Sequence, residues 1–178
     1  MTNILRDLPY FDEKSIIVVR NRREAVRAQQ IVVWVSLADI DQRELLRGTP
    51  RLPAVLDSGF SHNFGIREEH LMRWAGIQPA YFPRMGDIRV NDVTVPRHDA
   101  DVWLYRNRPG QRDELADGPP FRLAISQGSV VYPADTPNAP RLPVLGLRGL
   151  KWTGLQLSID CDRLLVRLRT RQRFWPFG

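Results

Sequence analysis

The chain has 178 residues, 43% of them hydrophobic and 26% charged, which fits one domain with a sizeable core and leaves too little chain for two. Its formal net charge is +6 and its sequence pI about 10.2; nearly all the positive charge is arginine, because lysine occurs only at Lys14 and Lys151. The single Cys161 excludes an intrachain disulfide framework, and no run approaches the ~18 to 20 apolar residues that a membrane-spanning helix requires.

Residues 1–14 are mixed in character and are expected to lie at the periphery. Ser15 to Val19 is a β-type run, followed by the charged stretch Arg20 to Arg27. Gln30 to Leu37 is a stronger β run, rich in Val and Ile. From Asp39 to Pro53 the chain is polar, with Gly48, Pro50 and Pro53 marking loop. The short strand Ala54-Val55-Leu56 then ends at Asp57-Ser58-Gly59.

Ile66 to Gly76 predicts a short helix, with Glu68 and Glu69 in the first turn and Gly76 as its stop. Ile66, Leu71 and Trp74 are its expected core face. Asp87 to Val95 alternates apolar and polar residues around Asn91-Asp92 and predicts a hairpin. Short strands are expected at Ala100 to Tyr105, Phe121 to Ile125 and Ser129 to Tyr132, separated by loops rich in Pro and Gly. Leu142 to Gly146 ends in a strand stub, a helical turn follows near Leu147 to Thr153, and Leu155 to Leu168 closes the chain as a hairpin around Cys161-Asp162. Trp34, Trp103 and Trp152 sit in apolar contexts and are expected in the core.

Asp57 carries the chemistry this pattern offers. Amide hydrolysis by water needs a base to activate the water and an acid to protonate the leaving nitrogen. Two carboxylates held close together share one proton and supply both. Such a carboxylate must stand in a sharp turn at the end of a packed strand, and glycine permits that turn.

Val55-Leu56-Asp57-Ser58-Gly59, with Ser61 two places on, resembles the active-site element of the retropepsin-like aspartic proteases. Two further elements follow in the family's order. One is a hairpin suited to act as a flap, here Ile88 to Val95 with Val90, Asn91 and Asp92 at its tip. The other is Val144-Leu145-Gly146, followed by a short helix and a terminal β segment.

The resemblance spans residues 28–170. It implies an all-β fold, a closed retropepsin-like barrel with one or two short helices. Residues 1–27 then form an N-terminal extension and residues 171–178 a basic, aromatic tail. It also implies an aspartic endopeptidase. The chain has one Asp-Ser-Gly and no room for a second lobe, so the expected form is a homodimer with an Asp57 dyad across a two-fold axis. Ser58 would bond across the interface, Gly59 and Ser61 would contact substrate, and Val144, Leu145 and Gly146 would pack behind the Asp57 loop. Phe60 stands where the family often has Ala and is expected beside the substrate. Leu147 intervenes between the late glycine and Arg148.

No metal or organic cofactor is implied. His62, His70 and His98 lack the spacing of a metal site, and no glycine-rich phosphate loop is present. The expected partners are a peptide or protein substrate and a second copy of the chain. Arginine is dispersed, so it reads as solvated surface. The tail from Arg171 to Gly178 mixes arginine with aromatic residues and is expected to pack on the partner subunit. The N-terminus has no signal-peptide pattern, which leads us to expect a soluble cytoplasmic protein with no membrane partner. The rival readings are a non-catalytic binding or assembly domain of the same fold and, more distantly, a nucleic-acid-binding β domain.

Overall fold

The structure is a computed structural model and describes residues 2–90, 92–123, 125 and 128–171. It is mostly β. Its centre is built from apolar runs too hydrophobic to face water on either side: β4 (Ile31–Ala38), β5 (Leu52–Asp57), β9 (Asp101–Leu104), β11 (Ser129–Tyr132) and β12 (Val144–Gly146) are buried along nearly their whole lengths.

These strands join β6 (Phe64–Arg67), β7 (Arg84–Val90), β8 (Val93–His98) and β10 (Phe121–Leu123) in one sheet. Its order is β10-β9-β4-β5-β12-β6-β11-β8-β7. The sheet is open, so the closed barrel expected from the family resemblance is not formed among the described residues. Its end strands β10 and β7 each pair on one side only. β7 is exposed along most of its length.

Residues 3–9, expected at the periphery, instead form β1 (Asn3–Pro9). This strand pairs with β14 (Leu165–Thr170), which pairs in turn with β13 (Leu155–Asp160). Ile4, Leu5 and Leu8 are at most 2% exposed and belong to the main hydrophobic cluster. At roughly 1.5 to 3 kcal/mol for each large apolar side chain fully buried, this segment is part of what holds the molecule together. Asn107 clamps it: its Oδ1 accepts the Arg6 N–H at 2.8 Å, and its Nδ2 donates to the Arg6 carbonyl at 3.0 Å.

The charged stretch after Val19 also departs from expectation. β2 (Ser15–Val19) and β3 (Arg22–Val26) form a hairpin. Its turn residues Arg20 and Asn21 both have positive φ, 46° and 63°, as a two-residue turn matching the strand twist requires.

The helix expected over 66–76 is shorter. Ile66 lies on β6, α1 covers Glu68–His70, and a π-helical turn covers Leu71–Ala75. Gly76, at φ 69°, ends it in the left-handed region. Leu71 and Trp74 are fully buried. The second helix, α2 (Leu147–Trp152), follows β12 directly and leaves Trp152 56% exposed, outside the core. Trp103 is buried, and Trp34 is half-buried. No helix among the described residues is long and apolar enough to cross a membrane.

Candidate active site at the end of strand β5

β5 carries Asp57 out of the core. Leu52 to Leu56 are buried, and Asp57, Ser58 and Gly59 are exposed. The Gly59 N–H donates to Asp57 Oδ1 at 2.8 Å, which fixes the carboxylate within its own turn. Ser61 is exposed as well.

β12 runs parallel to β5, with Val144 opposite Val55, Leu145 opposite Leu56 and Gly146 opposite Asp57. On its other side β12 pairs antiparallel with β6. The Gly146 N–H donates to the Asn63 carbonyl at 2.9 Å, and the Val55 N–H donates to the Pro143 carbonyl at 2.7 Å. Elements far apart in sequence therefore meet directly behind Asp57.

The fit at Gly146 is tight. A Cβ there would collide with the His62 carbonyl oxygen and lie 2.7 Å from that of Phe60. Only glycine leaves room for the returning loop.

Phe60 does not simply project beside a substrate path. Its half-buried ring reaches back over Gly65, whose Cβ, if present, would lie 2.7 Å from Phe60 Cζ and 3.1 Å from Tyr132 Cε2. The ring also meets His62 edge to face, with centroids 5.5 Å apart. It packs against a small second cluster of Val95, Val130, Tyr132 and Ala139, which Ile88, Val90 and Val93 of the β7–β8 hairpin also join. Phe60 thus links the Asp57 loop to that hairpin. Val90 borders, with Gly59, Phe60 and Ser61, a cleft of about 130 Å³.

At the hairpin tip Asp92 is exposed, with φ 64°, and pairs with Arg89 at 3.0 Å. Asn91 lies outside the described residues, as does the tail from 172 onward.

Two groups near the loop have shifted ionisation. Burial, and then the positive charges of Arg148 and Arg97, hold His62 below the usual histidine range. Burial pushes the Tyr132 phenol up to about 12, so it stays protonated and can donate a hydrogen bond.

A second groove, of about 390 Å³, borders Asp57. Arg27, Gln30, Asn138 and Arg141 line it with Asp57 itself. The sequence patterns did not single out these four, nor Gly65. For Gly65 a signal was available, since a glycine inside an apolar strand marks close approach of another group. No group of three or more His, Cys, Asp or Glu side chains placed to hold a metal ion is found among the described residues.

Compared with models of known families, with curated proteins and with solved structures, the chain matches none.

Proposed function

We propose that the chain is a retropepsin-like aspartic endopeptidase. In this reading it acts as a homodimer, with Asp57 facing Asp57 of the partner subunit. The observation that carries the reading is the register of β12 on β5, which sets Gly146 opposite an exposed Asp57 at the end of a buried strand. That arrangement joins the first and last elements of the resemblance, and the β7–β8 hairpin borders the same loop through Val90.

The chemistry follows from a shared proton. Two carboxylates at hydrogen-bonding distance cannot both ionise, so one stays protonated. The ionised member takes a proton from a bound water, which attacks the scissile carbonyl. The protonated member polarises that carbonyl, and the leaving nitrogen is protonated as the tetrahedral intermediate collapses. The Gly59 N–H, already bonded to Oδ1, keeps the carboxylate in its plane.

Incubation with a diverse library of quenched fluorescent peptides tests this. Wild type should cleave, and Asp57→Asn should lower kcat by about a hundredfold or more, since general acid–base groups typically contribute ~10²- to 10⁴-fold. Cleavage that persists in Asp57→Asn would overturn the assignment.

A further inference from the structure

The groove of Arg27 and Arg141 is charged in a way the hydrolytic chemistry does not require. Its charged lining residues are those two arginines and Asp57. Among the described residues neither arginine takes part in an ion pair.

Both are nevertheless carried on fixed backbone. The Arg27 N–H donates to Gln30 Oε1 at 2.8 Å. The turn around it is tied to buried Phe11, because the Phe11 N–H donates to the Gln30 carbonyl at 3.0 Å and the Phe11 carbonyl accepts from Gln29. Next to Arg141 in the chain, the Pro140 carbonyl accepts from Arg67 Nε and the Ala139 carbonyl from an Arg67 terminal nitrogen, both at 2.9 Å. Leu142, only 5% exposed, anchors the other side of Arg141. Two arginines held on anchored backbone therefore line one groove together with Asp57.

We propose that this groove selects an acidic side chain, Asp or Glu, in the peptide bound at Asp57, with Arg27 and Arg141 as its specificity-determining residues. The proposal rests on the peptidase reading above. Guanidinium groups take carboxylates in a planar, two-pronged geometry that an amide or an aliphatic chain cannot reproduce. An acidic residue enters a groove whose two cations lack a carboxylate partner, whereas a basic residue meets like charge.

The test uses full-length protein and peptides that differ at one fixed position, Glu, Gln, Leu or Lys, on either side of a randomised centre. Cleavage is measured with wild type, and binding is measured by calorimetry with Asp57→Asn, which holds peptide without hydrolysing it. Glu should exceed Gln by about fivefold in both readouts, the gain expected of a partly solvated ion pair. The ratio should shrink at high ionic strength.

Arg27→Gln and Arg141→Gln should each reduce the ratio, and Arg27→Glu with Arg141→Glu should reverse it toward Lys. Both side chains are exposed, so these variants should keep the wild-type circular dichroism spectrum. Equal binding of Glu and Gln, or a preference that survives both substitutions, overturns the proposal. Cleavage without the preference removes the specificity and leaves the peptidase reading intact. Binding with the preference but no cleavage removes the peptidase reading and leaves the acidic site.

Discussion

Gly146 lies opposite Asp57 in the parallel pairing of β12 with β5, and its Cα faces the backbone carbonyls of Phe60 and His62. The contact lies between main-chain atoms, so no side-chain rotation can relieve an added methyl group. Gly146→Ala should therefore destabilise the protein by about 3 kcal/mol. In a chain of this size that lowers the thermal midpoint by roughly 10 °C, measurable by scanning calorimetry.

Gly65 presents a softer version of the same constraint. Its close neighbours are ring atoms of Phe60 and Tyr132 rather than backbone. Gly65→Ala should cost about 1 to 2 kcal/mol in the wild-type background. In a Phe60→Leu background that cost should fall below about 0.5 kcal/mol, because the colliding ring is gone. A double-mutant cycle by urea unfolding reads the difference. Additive costs would mean that Phe60 does not pack over Gly65.

His70 predicts a pH dependence. It is 5% exposed and stacks on Trp74, with ring centroids 3.9 Å apart and planes within 4°. Burial holds its pKa down from 6.5 to about 4, with Glu69 opposing that change. The unfolded chain thus takes up a proton near pH 6.5 that the native state refuses until about pH 4. The stability present above pH 6.5 falls across that window by about 3 kcal/mol, because each tenfold difference in proton affinity between the two states is worth ~1.4 kcal/mol. His70→Phe keeps an aromatic ring against Trp74 and should flatten the urea midpoint between pH 7 and 4. The peptide-cleavage assay is therefore best run above about pH 6, where the fold retains most of this contribution.

Asp101 is buried to 2% exposure and pairs with Arg122, which also donates to the Ile40 carbonyl. Asp101 Oδ1 accepts the Ile125 N–H at 3.3 Å. Asp101→Ala should cost about 3 kcal/mol, the low end for a broken buried pair, because Arg122 still reaches solvent. Chemical denaturation measures it.

Removing residues 2–10 should abolish cooperative unfolding, since β1 supplies Ile4, Leu5 and Leu8 to the core. Asn107→Ala should cost about 2 kcal/mol through the lost contacts to Arg6. A truncated chain that kept its near-ultraviolet dichroism would show β1 to be dispensable.

The central strands were legible in the sequence because Ile31 to Ala38 is apolar except for Ser36 and Ala54 to Leu56 is wholly apolar, whereas Leu52 and Pro53, expected in a loop because proline marks one, extend β5. β1 was not, for a local reason. Asp7 has φ 48°, and the pairing with β14 shifts register twice, so the period-two alternation is broken. β3 was hidden because Arg22, Arg23 and Glu24 face outward in a two-stranded hairpin, where charge is no obstacle. Ile66, Leu71 and Trp74 imitated a helical face, although Ile66 belongs to β6. At the site, Asp57 and Gly146 could be read from their local motifs. Arg27 and Arg141 could not, because only the pairing of distant strands brings them to one groove.

The central claim is that the reactive centre contains one Asp57 from each of two chains. Wild type and Asp57→Asn are mixed in equal amounts at constant total protein and left to exchange subunits, and cleavage of one peptide is followed. A shared dyad predicts activity near a quarter of the all-wild-type value, because only pairs of wild-type chains are competent. Activity near one half would show that each chain works alone, and cleavage unaffected by the variant would contradict the role of Asp57 altogether.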